Sequence, residues 1–129
     1  MYDYEPEGSP AVLVIEDDLE IQAVLRRVLG GTVRGYGIVT VSSGVAALEQ
    51  ISLRPIPLVF SDYNLPGMNG LQIARFIKRE SPATCVVLVT AYATPELERL
   101  AQRADSDIDY FVAKPFQLDR IEEIVRAVL

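Results

Sequence analysis

Histidine is absent from this chain of 129 residues, tryptophan is absent too, and there is one cysteine. Without imidazole there is no His general base and no His metal ligand. Any chemistry must run on carboxylates, hydroxyls, an amine or the backbone. One cysteine forms no internal disulfide, which fits a reducing compartment. Cys85 lies in the apolar run 85–89 and reads as a buried core thiol rather than a nucleophile. Base is in deficit, with 12 Lys and Arg against 18 Asp and Glu for a net charge of −6. That balance argues against direct nucleic-acid binding, which favours a basic stripe. No apolar run approaches the roughly 18 residues that span a bilayer. The opening MYDYEPEGSP has three acids and no base, unlike a signal or transit peptide. The chain is expected to be soluble and cytoplasmic, with no membrane association.

What is present is a regular alternation. Half of the residues are hydrophobic, enough for one full core at this length. Residues 1–10 read as a mobile tail and 11–129 as a single domain. AVLVI (11–15) is a short continuous β-rich run, the pattern of a strand buried on both faces. LEIQAVLRRVL (19–29) reads as a helix, stopped by Gly30-Gly31. Further strands are predicted at 36–41, 58–61, 85–90 and 108–113. Further helices are predicted at about 44–52, 71–79, 95–104 and 118–129. Five strand–helix units imply an α/β fold: a five-stranded parallel sheet, order 2-1-3-4-5, with helices on both faces, flavodoxin-like and doubly wound.

In such a sheet, ligands bind beyond the carboxyl ends of the strands. Strand one ends in Glu16, Asp17 and Asp18, strand three in Asp62, strand four in Thr90 and strand five in Lys114-Pro115. The assumed strand order brings these ends together. Clustered carboxylates call for a cation, and magnesium suits a small all-oxygen set that keeps several waters. A carboxylate is also a nucleophile toward phosphoryl groups. Each residue has a plainer explanation: Asp18 as a helix cap, Asp62 as a turn residue. Lys114 weighs against coincidence, since the chain has only two lysines, and one falls at a ligand-binding strand end.

VLVIEDD, SDYNLPGMNG, VVLVTAY and VAKPF, in that order, resemble the signature segments of response-regulator receiver domains over residues 11–129. The resemblance implies a phosphoacceptor switch in two-component signalling rather than an enzyme, with no chemistry beyond its own phosphorylation and dephosphorylation. By that resemblance Asp62 is the phosphoacceptor. Asp17, Asp62 and the backbone carbonyl of Asn64 ligate Mg2+, with Glu16 acting through water. Thr90 and Lys114 contact the phosphoryl group, Thr90 and Phe111 form the switch, and the bond before Pro115 is usually cis. Asn64 and Tyr92 border the path of the hydrolytic water, with Tyr92 as a shield. The implied partners are a histidine kinase or histidine phosphotransfer domain and, as one arrangement, a second copy through the face of helix 4, strand 5 and helix 5.

One stretch departs from the family pattern. Residues 104–109, ADSDID, replace the common Gly-Ala turn and read as a solvated acidic turn. A calcium loop is excluded there, because Tyr110 and Phe116 occupy its glycine and glutamate positions. The competing readings are a pseudo-receiver that works without phosphorylation, a small aspartyl phosphatase and a flavin module. The phosphatase lacks its D-x-D spacing, and the acidic first loop repels a flavin phosphate. The first helix is apolar at more positions than one core face needs, so Leu19, Ile21 and Val24 are candidates for docking a partner helix bundle.

Overall fold

The computed structural model describes residues 8–129. Residues 1–7, most of the stretch read as a mobile tail, lie outside the described residues. Residues just before 11 are already tied to the domain: the Pro10 carbonyl accepts the Gly37 N–H at 3.0 Å, and Ser9 Oγ accepts from Arg54 Nη1 at 3.3 Å.

Five strands and five helices alternate: β1 Ala11–Ile15, α1 Leu19–Thr32, β2 Gly37–Val41, α2 Gly44–Leu53, β3 Leu58–Asp62, α3 Gly70–Glu80, β4 Cys85–Thr90, α4 Pro95–Ala101, β5 Tyr110–Ala113 and α5 Leu118–Val128. The strands are all parallel, in the order β2-β1-β3-β4-β5. Every residue of β1 is fully buried, because side chains of period two feed a core on each face. Leu13 and Ile15 join Ile73, Ile77 and Leu88 on the side of α2, α3 and α4. Val12 and Val14 join Leu25, Leu29, Phe60, Ile121 and Ile124 on the side of α1 and α5.

Several boundaries differ from the sequence reading. α1 does not stop at Gly30-Gly31 but continues to Thr32. Burial of Leu25 and Leu29 outweighs the roughly 1 kcal/mol that each helical glycine costs against alanine. α4 ends at Ala101, and β5 begins only at Tyr110. The acidic turn before β5 is not wholly solvated. Asp109 Oδ2 accepts from Lys78 Nζ at 2.7 Å and from the Val86 N–H at 2.8 Å. Its own N–H donates to Val86 O at 2.9 Å, so residue 109 adds a rung between β4 and the start of β5. Cys85 is half-buried at the start of β4 rather than fully enclosed. Burial, then the Asp109 charge, pushes its thiol up to about 11. A thiol that resists ionisation is a poor nucleophile.

Candidate functional site

Four strand ends meet at one point on the sheet. β1 and β3 run side by side in register, as do β3 and β4, and β4 and β5. The residues that follow β1 therefore stand beside the end of β3, Asp62 stands beside the end of β4, and the turn after β5 stands beside Thr90.

Glu16 follows β1 and is 2% exposed. One of its oxygens accepts from Lys114 Nζ at 2.7 Å and the other from the Asp18 N–H at 3.2 Å. Lys114 Nζ also lies 3.6 Å from Asp62 Oδ1. That oxygen accepts the Tyr63 N–H at 2.8 Å. Carboxylate oxygens of Glu16, Asp17 and Asp62 all lie within 4.8 Å of one another. Burial, resisted by the Lys114 hydrogen bond and assisted by the charge of Asp62, raises the Glu16 carboxyl above its ordinary value. This all-oxygen set fits a hard divalent cation. Glu16 is the most buried of the three, and each of its two oxygens has a protein partner.

Thr90 is fully buried, and its Oγ1 accepts the Tyr92 N–H at 2.9 Å. Phe111 is half-buried against the core on the α2–α4 side. The Lys114-Pro115 bond is cis. Asn64 is exposed and pairs in an isolated antiparallel bridge with Asn69. Tyr92 is 60% exposed, with most of its surface in solvent. Of the α1 positions considered for docking, Leu19 and Val24 are 71% and 49% exposed, whereas Ile21 packs on the core beside α5.

Asp18 takes the plainer role. It is the N-cap of α1, and its Oδ1 accepts from the N–H groups of Glu20 and Ile21 at 2.9 and 3.3 Å. Replacing it with alanine is expected to cost about 1 kcal/mol of stability with little effect on Mg2+ affinity. Asp17→Ala removes a carboxylate from the cluster. It should weaken Mg2+ binding by more than the roughly 10–100-fold typical of an outer-sphere partner. Isothermal titration of both variants with Mg2+ checks the pair; a larger loss in Asp18→Ala would shift the acidic pair by one residue.

Two supporting residues were not visible in the sequence reading. Gln22 Nε2 donates to the Glu16 carbonyl at 2.8 Å and to the Val41 carbonyl at 3.3 Å, holding the turn after β1. A glutamine one turn into a helix carries no such signal by itself. Gly70, the first residue of α3, sits where a Cβ would lie 2.6 Å from the Asp62 carbonyl oxygen.

The family model for the response regulator receiver domain matches residues 12–126. The chain belongs to the response regulator receiver family. Among curated relatives, the transcriptional regulatory protein KdpE of Mycobacterium tuberculosis is 34% identical over 118 residues, covering 92% of this chain and 50% of that protein. The transcriptional regulatory protein ZraR of Escherichia coli O157:H7 is 31% identical, covering 92% of this chain and 26% of that protein. The chain thus spans a quarter to half of the length of these relatives. Both are transcriptional regulators, so the expectation that this receiver avoids nucleic acid gains no support from them. The response regulator protein TrrA from Thermotoga maritima, solved in complex with Mg(2+)-BeF, superposes with a TM-score of 0.78 at 28% identity, covering 94% of this chain and 99% of that one. Receiver domains are signalling switches of two-component systems, not classical enzymes, and bind Mg2+ at an acidic pocket of the kind described above. Among the described residues no helix is long and apolar enough to cross a membrane.

Proposed function

We propose that this receiver takes a phosphoryl group on Asp62 from a histidine kinase or histidine phosphotransfer domain, in a Mg2+-dependent reaction, and so changes its partner-binding surface. The observation that carries the reading is the placement of Asp62 between the Lys114 ammonium, 3.6 Å away, and the carboxylates of Glu16 and Asp17. An Asp62 carboxylate oxygen attacks phosphorus, the phosphorus–nitrogen bond to the donor histidine breaks, and the imidazole leaves with its electron pair. Phosphoryl transfer asks the protein mainly for position and charge neutralisation. Lys114 supplies one positive charge beside the reacting carboxylate. Asp17, Asp62 and the Asn64 carbonyl would hold Mg2+, with Glu16 through water. A bound Mg2+ supplies the remaining charge neutralisation at the phosphoryl oxygens.

Thr90 supports the switch. Its hydroxyl oxygen now accepts from Tyr92 N–H, and in the phosphorylated state its own O–H donates to a phosphoryl oxygen. The half-buried ring of Phe111 then becomes more buried. Phosphorylation biases these two arrangements only by binding one better than the other. The face formed by α4, β5 and α5 is the surface offered to a partner or a second copy.

Incubation with acetyl phosphate and Mg2+, read by intact-mass spectrometry, should add one base-labile phosphoryl group. Asp62→Asn should remove it. Labelling that persists in Asp62→Asn moves the site, and no labelling of the wild type turns the reading to a phosphorylation-independent interaction module.

Signal lifetime follows from access of water to the phosphorus. Tyr92 shields that path in the phosphorylated state, although it is 60% exposed here, while Asn64 admits a water. Tyr92→Ala should therefore lose the phosphoryl group faster than wild type at equal Mg2+, measured by decay of the labelled protein; an unchanged rate rejects the shield.

A further inference from the structure

Two of the three acids in the stretch 104–109 have partners. Asp109 holds Lys78 and the Val86 N–H. Asp105 forms a two-pronged pair with Arg103, from Nε at 3.1 Å and from Nη2 at 3.2 Å. Asp107 is half-buried, yet its carboxylate has no ion pair among the described residues.

Asp107 lines a groove of about 530 Å3 between α3 and the segment that runs from α4 to β5. The α3 wall presents Arg75, Phe76 and Arg79, and the facing wall presents Leu100, Asp105 and Asp107. Arg75 and Arg79 share one face because residues four apart in a helix stand one above the other. The Arg79 guanidinium lies over the Phe76 ring, 5.6 Å from its centre. Neither arginine has an ion pair among the described residues. Arg103 also lines the facing wall, but Asp105 balances its charge, so that wall is acidic in sum. One wall is therefore basic and the other acidic, and they do not neutralise each other across the groove. Each wall also leaves one large apolar side chain in solvent: Phe76 is 40% exposed and Leu100 43%.

We infer that this groove is a self-association surface that takes a second copy of this chain. A two-fold axis lying along the groove exchanges the two walls, so α3 of each copy meets the acidic wall of the other. Arg75 and Arg79 then face the acids at 105 and 107 of the second copy, and Phe76 faces its Leu100, each contact occurring twice. The spacings agree. Four residues of helix advance about 6 Å, and two residues of chain span at most about 7 Å.

Charge selects this occupant. A partner of one sign is attracted by one wall and repelled by the other. A second copy carries both signs in the required places, and its apolar side chains cover Phe76 and Leu100 at the centre of a charged rim. The surface uses α3 in place of β5 and α5, so it is separate from the face of α4, β5 and α5. It includes neither Asp62 nor Lys114, and the phosphoacceptor chemistry does not depend on it.

The test is sedimentation velocity of the full chain from roughly 5 to 500 μM, the range suited to a small, polar interface. Wild type should pass from monomer toward dimer as concentration rises. Arg75→Glu/Arg79→Glu makes both walls acidic, and Asp105→Lys/Asp107→Lys makes both basic. Each double variant should weaken self-association by roughly 100-fold or more, because like charges then oppose each other across the two-fold. An equimolar mixture of the two variants should regain the dimer, since every facing pair is again of opposite sign. Recovery on mixing also shows that neither variant lost its dimer by misfolding. A wild type that stays monomeric over the whole range overturns the proposal. So do double variants that dimerise as well as wild type, and a mixture that stays monomeric. Labelling of Asp62 by acetyl phosphate should be equal in wild type and both variants, which separates this result from any failure at the phosphoacceptor.

Discussion

Lys114→Ala is expected to slow phosphorylation of Asp62 by acetyl phosphate by roughly 10²–10³-fold, the effect of deleting one preorganised charge-stabilising donor from a phosphoryl- or acyl-transfer site. The ammonium lies 2.7 Å from Glu16 and 3.6 Å from Asp62, with only 12% of its side chain exposed. Its loss leaves two carboxylates facing each other with the cation gone. Glu16, 2% exposed, is then a buried acid without its counter-ion, and breaking such a pair typically costs about 3–5 kcal/mol. Glu16 limits that cost by taking up a proton. Its carboxyl is already raised above 4.5 by burial, and loss of the Lys114 hydrogen bond raises it further. A carboxyl with a raised folded-state value binds a proton that the unfolded chain releases, so stability falls as pH rises across that interval and recovers as pH falls. Metal-free Lys114→Ala should therefore gain stability as the pH is lowered from neutral toward 4.5, more steeply than wild type. Urea melts across that range measure it, and a flat or opposite profile would sink the argument. Lys114→Arg should restore part of the stability but little of the rate, because a planar guanidinium does not place its charge where a compact ammonium does.

How much of this was legible in the sequence depends on the scale of the signal. β1 was readable because AVLVI is apolar at every position, and only a strand covered on both faces needs that. The strand order then put Glu16, Asp17, Asp62, Thr90 and Lys114 at one place without any tertiary information. Signals that depend on competition between local and tertiary terms were not readable. Gly30-Gly31 looks like a stop until Leu25 and Leu29 are seen to be buried. Cys85 sits in an apolar run, but at its first residue, where the strand end leaves it half open. The Asp109 rung needs Lys78, 31 residues away in sequence, and the N–H of Val86. No local pattern announces such a contact. Gln22 escaped for the same reason: its partners are carbonyls on two different strand ends.

Gly70→Ala should cost both stability and phosphorylation, although helix propensity alone favours alanine by roughly 1 kcal/mol. Gly70 opens α3, and its N–H donates to the Tyr63 carbonyl at 2.7 Å. An added Cβ would stand 2.6 Å from the Asp62 carbonyl oxygen, 2.7 Å from Leu88 Cδ1 and 3.0 Å from Tyr63 Cα. The leucine methyl can yield; the two backbone atoms belong to the end of β3 and the turn that carries Asp62. α3 cannot retreat easily either. Its Asn69 cap and Gln72 exchange hydrogen bonds in a capping box, and Ile73, Ala74 and Ile77 are fully buried against the sheet. The strain therefore falls on Asp62 and Tyr63. Overpacking of this kind costs about 1–3 kcal/mol. It also disturbs the 2.8 Å bond from Tyr63 N–H that orients the Asp62 carboxylate. A displacement of about 1 Å at a reacting group is worth on the order of 10²-fold in rate. Gly31→Ala is the control, since that glycine is also helical and a Cβ there meets nothing within 4 Å. It should raise stability by roughly 0.5 kcal/mol and leave phosphorylation unchanged. Denaturant melts and acetyl-phosphate labelling of the two variants decide the matter. If Gly70→Ala proves as stable as Gly31→Ala, the close approach of α3 to the Asp62 carbonyl is not what holds Asp62 in place.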